Sequence, residues 1–195
     1  MDTLHLETPN LIENPNPKVT RLLLLLATLT LLGCPRSELG DRLFEINYPG
    51  ITFVIPAGQA SFQTFVISNP RLVTEFMDRL ADSGFTEEDV DNVSGLRARV
   101  SSLSGEDFRE IERMELRVCP TDETGCTQID IMFSVDDLQG RRQTVVNLNP
   151  GLRNFRPLYF SEEVVRMELV IFPAAVTSQT IEARLDWGVR AVGGL

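Results

Sequence analysis

The sequence predicts a mainly β domain: an antiparallel β-sandwich, of jelly-roll or immunoglobulin type, with one short helical insert. Three observations favour this fold class. Short runs of residues alternate between apolar and polar, which is the pattern of strands buried on one face. Gly, Pro, Asp and Ser separate these runs, as they do in turns between antiparallel strands. The runs recur at the close spacing typical of sandwiches, and one stretch of helical periodicity interrupts them.

The first three strands are predicted before that helical stretch. Residues 44–48 alternate between apolar and polar, and after a Pro-Gly turn at 49–50 the alternation resumes over 51–55. A second turn at 56–58 ends the pattern, and residues 62–67 form a third apolar run. We therefore expect a strand on each side of the Pro-Gly turn and a third strand after the next turn.

The helical insert is predicted over residues 69–84. Asn69 is suited to cap a helix, Pro70 fits its first position, and Ser83-Gly84 fits its end. Apolar residues recur between these signals at helical spacing: Leu72, Val73, Phe76, Met77 and Leu80.

A second short helix and six strands are predicted after the insert. The helix is expected at 85–90, because Thr86 and Asp89 have the spacing of a capping box. The strands, each bounded by Gly, Pro, Asp or Ser, are expected at 96–103, 111–118, 129–135, 144–148, 164–172 and 181–192.

The segment before the domain has the features of a secretory signal peptide. Lys18 and Arg21 precede an apolar run of eleven residues, 22–32. The run is too short for a membrane-spanning helix, which needs about 20 residues. Only two threonines break it, so the alternative of an amphipathic helix buried in a soluble domain is disfavoured.

Residues 31–34, Leu-Leu-Gly-Cys, resemble the lipobox of bacterial lipoproteins. The resemblance implies that the chain is cut before Cys34 and that the Cys34 thiol carries a diacylglycerol. It divides the sequence into a signal peptide at 1–33, a lipidated tether at 34–42 and a β-sandwich domain at 43–195. The implied location is the cell envelope. In some enteric bacteria an Asp directly after the lipidated cysteine retains a lipoprotein at the inner membrane. This sequence has Pro35 at that position, which favours the outer membrane.

The mature chain is acidic and contains no lysine. The leader holds two of the 18 basic residues and three of the 28 acidic ones, which leaves 16 arginines, 25 carboxylates and a net charge of −9. Nucleic acid and anionic lipid both require a positive protein surface, so neither is expected as a partner. Attachment to the membrane is therefore assigned to the N-terminal lipid.

Cys119 and Cys126 enclose six turn-forming residues. An exported protein meets oxidising conditions, and these two cysteines remain once Cys34 is lipidated, so we predict a disulfide between them. A zinc site is disfavoured because it needs three or four nitrogen or sulfur ligands, whereas the one histidine, His5, lies in the leader.

The composition also excludes the common routes of nucleophilic hydrolysis. Without histidine and lysine, the mature chain cannot form a Ser-His-Asp triad, a Cys-His pair, a Ser-Lys pair or a Schiff base. Paired carboxylates remain, but the acidic residues are distributed as on solvated strands and turns, with Glu162 and Glu163 in a turn. Acidic residues at 87–91 fit a first helical turn better than a calcium loop. We expect no metal, cofactor or catalytic site.

Four aromatic residues are the candidates for a binding surface: Phe155, Tyr159, Phe160 and Trp187. The first three form a cluster typical of a segment that closes one end of a sandwich, and such a cluster is also suited to contact a partner. Trp187 lies in an alternating strand, where a core position is the commoner role and a ligand platform is the alternative.

The segment 105–119, Gly-Glu-Asp-Phe-Arg-Glu-Ile-Glu-Arg-Met-Glu-Leu-Arg-Val-Cys, and the strands around it resemble uncharacterised bacterial surface lipoproteins with small β-sandwich domains. The likeness covers residues 90–195, in which a Phe-containing turn introduces a strand and a long last strand ends the chain. It includes no catalytic signature and implies no activity.

These observations favour a lipid-anchored, non-enzymatic β-sandwich that binds another envelope protein or acts as an accessory subunit. The first alternative is a module that binds a glycan or a small ligand through its aromatic residues. The second is a glycoside hydrolase that uses paired carboxylates.

Overall fold

The computed structural model describes residues 40–122 and 124–194, so the predicted signal peptide and Cys34 lie outside the described residues. This part of the chain contains eight strands: β1 (Asp41–Ile55), β2 (Phe65–Val73), β3 (Asn92–Ser102), β4 (Ile111–Pro120), β5 (Ile131–Val135), β6 (Val145–Pro150), β7 (Val164–Pro173) and β8 (Ile181–Gly193). Two helices, α1 (Phe76–Ser83) and α2 (Arg156–Ser161), accompany 3₁₀ turns at Glu87–Asp89 and Gln128–Asp130. The predicted tether, 34–42, overlaps the first two residues of β1.

The eight strands form one antiparallel sheet in the order β1-β8-β3-β6-β5-β4-β7-β2. The first strand pairs with the last, the second with the seventh, the third with the sixth and the fourth with the fifth. This nested pairing arises when one long hairpin folds over on itself, and it gives a jelly-roll-like arrangement. The mainly β prediction is thereby confirmed, and the strand order differs from that of an immunoglobulin domain.

The sheet is nearly closed and barrel-like, whereas the predicted sandwich has two separate sheets. The half β1-β8-β3-β6 joins the half β5-β4-β7-β2 where β5 pairs with β6, through Phe133 opposite Pro150 and Ser134 opposite Asn149. Buried side chains from both halves form one core. Gly95 on β3 touches the Phe133 ring so closely that a Cβ would collide with it, which explains a glycine at a buried strand position.

β1 is a single strand where the sequence predicted two. It pairs with β8 from Asp41 to Ile55, and the Pro-Gly pair at 49–50 lies in a β-bulge. The proline is tolerated because β1 is at the edge of the sheet. A Cβ at Gly50 would meet the side chains of Arg184 and Asp186, which form an ion pair and would have to shift. The turn residues therefore bend a strand rather than end it.

The helical insert begins later than predicted. Asn69 and Pro70 belong to β2, which has a bulge directly after Asn69. The Asn69 side chain accepts a hydrogen bond from the Arg71 backbone N–H (3.3 Å), a local turn that asparagine favours. α1 instead begins at Phe76. It ends at Gly84 as predicted, where a φ of 76° provides the left-handed cap.

Two other short helical segments, Glu87–Asp89 and α2, differ from the predictions for these residues. The capping box of Thr86 and Asp89 is confirmed, with a hydrogen bond of 2.7 Å from the Thr86 backbone N–H to Asp89 Oδ2. It heads a single 3₁₀ turn rather than a helix. α2 forms where the sequence predicted a closing loop, and Pro157 suits its first turn because that position needs no N–H donor.

The outer face of β4 carries a buried carboxylate between two arginines. Glu115 is only 2% exposed, although its neighbours in sequence point into the core. Arg117 Nε donates to Glu115 Oε2 at 2.9 Å, and Arg113 Nη1 lies 3.1 Å from Glu115 Oε1. The Arg113 guanidinium also lies 3.8 Å from the centre of the Phe172 ring. The two arginine side chains therefore shield the carboxylate from water.

The disulfide between Cys119 and Cys126 is confirmed and closes the loop between β4 and β5. Both cysteines are buried. Arg117 Nη1 donates to the Cys126 carbonyl at 3.3 Å, and the Cys126 backbone N–H donates to Glu168 Oε2 at 3.2 Å. Hydrogen bonds to β4 and β7 thus hold this loop in addition to the covalent bond.

Replacing both cysteines by alanine should lower the free energy of unfolding by about 2 to 3 kcal/mol, because the bond closes a short loop. The variant should still fold, since Arg117 and Glu168 hold the same loop. Urea unfolding followed by the fluorescence of Trp187, the single tryptophan, measures the difference. A variant that fails to fold would show that the bond does more than restrict the unfolded chain.

Candidate functional site

A pocket of about 300 Å³ opens at the end of the barrel where β1 begins. Two segments line it: residues 73–78, which lead from β2 into α1, and residues 159–163, which lead from α2 into β7. In an antiparallel sheet with this strand order, the start of β1, the end of β2 and the start of β7 lie at the same end. The topology therefore brings together two segments that are distant in sequence.

Phe76 fixes both helices to the barrel. Its side chain is fully buried at the start of α1. Its ring centre lies 5.2 Å from that of Phe44 on β1, and 5.5 Å and 5.1 Å from those of Tyr159 and Phe160 on α2. These tilted and edge-on contacts are the favoured geometries of aromatic pairs. One side chain therefore sets the distance between the two walls of the pocket.

The corner between β2 and α1 carries a strained residue. Glu75 has a φ of 53°, in the left-handed region, where a side chain is disfavoured. Thr74, directly before it, is buried and donates from its backbone N–H to the Glu163 carbonyl at 2.9 Å. The Thr74 hydroxyl donates to the same carbonyl at 3.1 Å. The two lining segments are thus tied together at the corner, and strain of this kind is typical of functional sites.

Two tyrosines connect the pocket to the core. The hydroxyl of Tyr48 lies 3.1 Å from the Thr74 carbonyl and 3.3 Å from the hydroxyl of Tyr159. A hydroxyl has one proton, so Tyr159 donates to Tyr48 when Tyr48 donates to Thr74. This chain of hydrogen bonds links α2, β1 and the corner after β2, and it makes the pocket floor rigid.

Burial raises the pKa of both phenols. Desolvation is the main cause for Tyr48, whose pKa is well above its usual value; the hydrogen bond with Tyr159 partly opposes the shift and the Glu75 carboxylate adds to it. Desolvation is also the main cause for Tyr159, with Tyr48 adding to it. Both phenols therefore stay protonated at neutral pH, and neither can act as a general base there.

The native protein should show almost no tyrosine ionisation at a pH slightly above about 10, where an exposed tyrosine is half ionised. Tyr48 and Tyr159 are the two tyrosines of the sequence, so tyrosinate absorbance reports on this pair alone. Because their pKa is higher in the folded state, they stabilise the fold fully below about pH 10, and this stabilisation is lost as the pH rises further. Ionisation should coincide with alkaline unfolding followed by circular dichroism. A midpoint near that of free tyrosine in folded protein would contradict the burial of the pair.

Four carboxylates line the pocket: Glu75, Asp78, Glu162 and Glu163. None of them has an ion-pair partner among residues 40–122 and 124–194, and no arginine is part of the lining. Unpaired carboxylates around a concave surface produce a negative potential inside it. The pocket therefore attracts positively charged groups.

The walls of the pocket are apolar. Val73 and Met77 are each about half exposed, and Phe160 is partly buried and packs against the core. Phe76 and Tyr159 form the buried floor. A pocket of this size is at the lower end of the range for ligand pockets, about 300 to 1,000 Å³, and suits one side chain or a small ligand.

The structure separates the four aromatic residues that the sequence singled out. Tyr159 and Phe160 line the pocket, as a cluster at one end of the domain predicts. Trp187 is 1% exposed and stacks on Tyr48 with ring centres 4.3 Å apart. Phe155 is equally buried, with the Arg153 guanidinium 4.8 Å from its ring centre. These two rings pack in the core and do not present a face to a ligand from solvent.

The sequence missed the other wall of the pocket. The sequence predicts that residues 74–77 belong to a helix beginning at Asn69, and no sequence signal marks the left-handed Glu75 or the buried Thr74. Glu162 and Glu163, which the sequence predicts in a turn, line the pocket. In the described part of the chain, no three His, Cys, Asp or Glu residues are placed to hold a metal ion.

Within residues 40–122 and 124–194, no helix combines the length and the apolar character needed to cross a bilayer.

Neither a protein-family model nor a curated protein matches this chain. Among solved structures, that of Desmodium yellow mottle tymovirus is similar with a TM-score of 0.30 and 11% identity, over 80% of this chain and 91% of that one. That of Cocksfoot mottle virus is similar with a TM-score of 0.27 and 10% identity, over 100% of this chain and 97% of that one. Similarities this weak say nothing about the activity or the partners of this chain.

Proposed function

We propose that this protein is a lipid-anchored, non-enzymatic domain of the bacterial cell envelope that binds another envelope protein, as a partner or as an accessory subunit. The observation that supports the proposal is the preformed pocket between residues 73–78 and 159–163. Its floor is rigid, and half-exposed Val73 and Met77 border it. Apolar side chains beside a rigid concave surface are typical of the centre of a protein interface.

The position of the pocket is consistent with an anchor at Cys34. Six residues lie between Cys34 and Asp41, so covalent geometry limits the distance between their Cα atoms to about 24 Å. The pocket opens at the end of the barrel where Asp41 begins β1. A lipid on Cys34 would hold this end close to the membrane surface, where the exposed part of an envelope protein is within reach.

A protein partner is better supported than a glycan. Glycan-binding modules stack sugar rings on exposed aromatic faces, and Trp187 and Phe155 are both buried. Phe160 presents one partly buried ring beside the pocket, which is too little for a platform. Glycan binding is therefore the second candidate function, and carboxylate-based glycoside hydrolysis is the third. Both rank below the role that we propose, an accessory protein at the outer membrane.

Replacing Cys34 by serine should abolish lipidation, since the serine hydroxyl is not a substrate for transfer of the diacylglycerol. The variant should move from the detergent phase to the aqueous phase, or remain uncleaved, in a Triton X-114 partition. A Cys34→Ser variant that is still cleaved and still partitions into the detergent phase would contradict the proposal of a lipid anchor at Cys34.

Photo-crosslinking in the protein's own membranes tests the proposal that the pocket binds another envelope protein. A benzophenone amino acid at Met77, on the pocket wall, should crosslink one envelope protein. The same amino acid at Leu103, which is similarly exposed in the loop after β3, is the matched control and should not crosslink that protein. Equal capture from both positions, or capture of lipid alone, would contradict an interface at the pocket.

A further inference from the structure

We infer that the pocket receives one basic side chain, arginine or lysine, from an extended segment of the partner protein. The inference rests on the proposed function and adds the chemistry of the contact. It combines a cavity of about 300 Å³, apolar walls and an uncompensated set of carboxylates, all contributed by residues 73–78 and 159–163.

The charge of the pocket selects a cation. Glu75, Asp78, Glu162 and Glu163 belong to the lining and have no ion-pair partner in the described part of the chain. The nearest arginine on α2 is already engaged: Arg156 Nε donates to the Val90 carbonyl at 2.6 Å and Nη2 lies 3.3 Å from a Glu87 carboxylate oxygen. Its guanidinium also lies 4.7 Å from the centre of the Phe160 ring, so its charge is engaged by the 3₁₀ turn and by this ring and forms no ion pair with the four pocket carboxylates.

The apolar walls select a cation with a long aliphatic stem. Val73 and Met77 are half exposed, while Phe76 and Tyr159 close the floor. Arginine and lysine bury their methylene groups against apolar surface and keep their charged heads near carboxylates or water. A bare metal ion would leave these walls without contacts, and the described residues place no three metal ligands together.

The protein shows the same chemistry elsewhere on its own surface. The guanidinium of Arg113 lies 3.8 Å from the centre of the Phe172 ring, and that of Arg153 lies 4.8 Å from the centre of the Phe155 ring. Stacking of a cation on an aromatic face adds to the attraction of the carboxylates. An anionic lipid headgroup is disfavoured at this pocket, because four carboxylates would repel its phosphate.

Methyl NMR on the lipidated mature chain, held in an uncharged detergent, tests the inference directly. Met77 is the pocket methionine and is half exposed, whereas Met114, Met132 and Met167 are buried, so its methyl signal reports on this site. The probe is N-acetyl-arginine-N-methylamide. It should shift the Met77 signal with a millimolar dissociation constant, which is about 4 kcal/mol of binding.

Three comparisons separate the effect of charge from that of shape. N-acetyl-citrulline-N-methylamide has the same length and no charge, and it should bind about tenfold more weakly. The double variant Glu162→Gln, Glu163→Gln should bind the arginine probe about fivefold more weakly, since it keeps the backbone contacts and removes two charges. Neutralising Glu112 and Glu182, which are exposed and lie outside the lining, should change binding by less than about twofold.

Equal binding of the arginine and citrulline probes, or no shift by either, would overturn the inference. Tighter binding of spermidine than of the arginine probe would also overturn it, in favour of a free polyamine. Failure of the proposed function is a separate result: the arginine probe binds, but the crosslinker at Met77 captures no envelope protein. If that crosslinker does capture a protein and the linked segment lacks arginine and lysine, the function stands and the inference is wrong.

Discussion

Replacing Phe76 by alanine should lower the free energy of unfolding by about 3 to 5 kcal/mol, the loss typical of truncating a buried phenylalanine. The ring is fully buried and contacts Phe44, Tyr159 and Phe160, so its removal leaves a cavity that three elements share. Because Phe76 sets the distance between α1 and α2, the variant should also lose the shift of Met77 by the arginine probe. Urea unfolding followed by Trp187 fluorescence measures the first effect.

Met77 provides the matched control for this experiment. It is the next residue of the same helix, it also lines the pocket, and it is half exposed. Its replacement by alanine should cost no more than about 0.5 to 1 kcal/mol. Equal losses for the two variants would mean that α1 does not dock on the barrel through Phe76, and the geometry of the pocket would then have to be different.

Replacing Glu115 by alanine should cost about 3 kcal/mol, because it leaves a buried positive charge without its partner. The Arg117 side chain is only 12% exposed and directs both Nε and Nη2 at Glu115. Glu112, on the same strand, is exposed and has no ion pair in the described part of the chain, so Glu112→Ala should change stability by less than about 0.5 kcal/mol.

A second variant separates loss of the carboxylate from loss of packing. Replacing Glu115 by leucine and Arg117 by methionine together removes both charges and keeps most of the volume, so it should recover most of the stability lost in Glu115→Ala. Thermal or urea unfolding of all three variants gives the comparison. If the double variant is as unstable as Glu115→Ala, the cost comes from packing on the outer face of β4 and not from an unpaired charge.

The strands of this protein could be predicted because each is half buried, and half burial produces an alternation that is local in sequence. β4, β7 and β8 lie within a few residues of their predicted bounds for this reason. The start of the helical insert could not be predicted. Asn69-Pro70 fits the first turn of a helix and also a bulge in an edge strand, and the pairing of Asn69 with Met167 that decides between them joins distant parts of the chain.

The candidate site was predictable in part for the same physical reason. Three aromatic residues within 155–160 indicate that this segment packs at one end of the domain, and Tyr159 and Phe160 do line the pocket. The short helix α2 determines which ring faces the pocket and which faces the core. This helix has only six residues, too few to show a helical pattern of apolar residues in the sequence. The opposite wall depends on the left-handed Glu75, a backbone conformation forced by tertiary contacts.

The nested strand pairing has a consequence for the order in which this chain can fold. Asp41, in the first strand of the described sheet, pairs with Gly193 in the last, and β1 has β8 as its partner in that sheet. Closing so long a loop is slow, because its entropy must be lost before the contacts form. The hairpin of β4 and β5 is short and held by a disulfide, so it is suited to form first. The apolar side chains of β1, among them Ile46, Tyr48 and Phe53, therefore stay without their partner strand until β8 has been synthesised, and apolar surface exposed in this way is prone to aggregation.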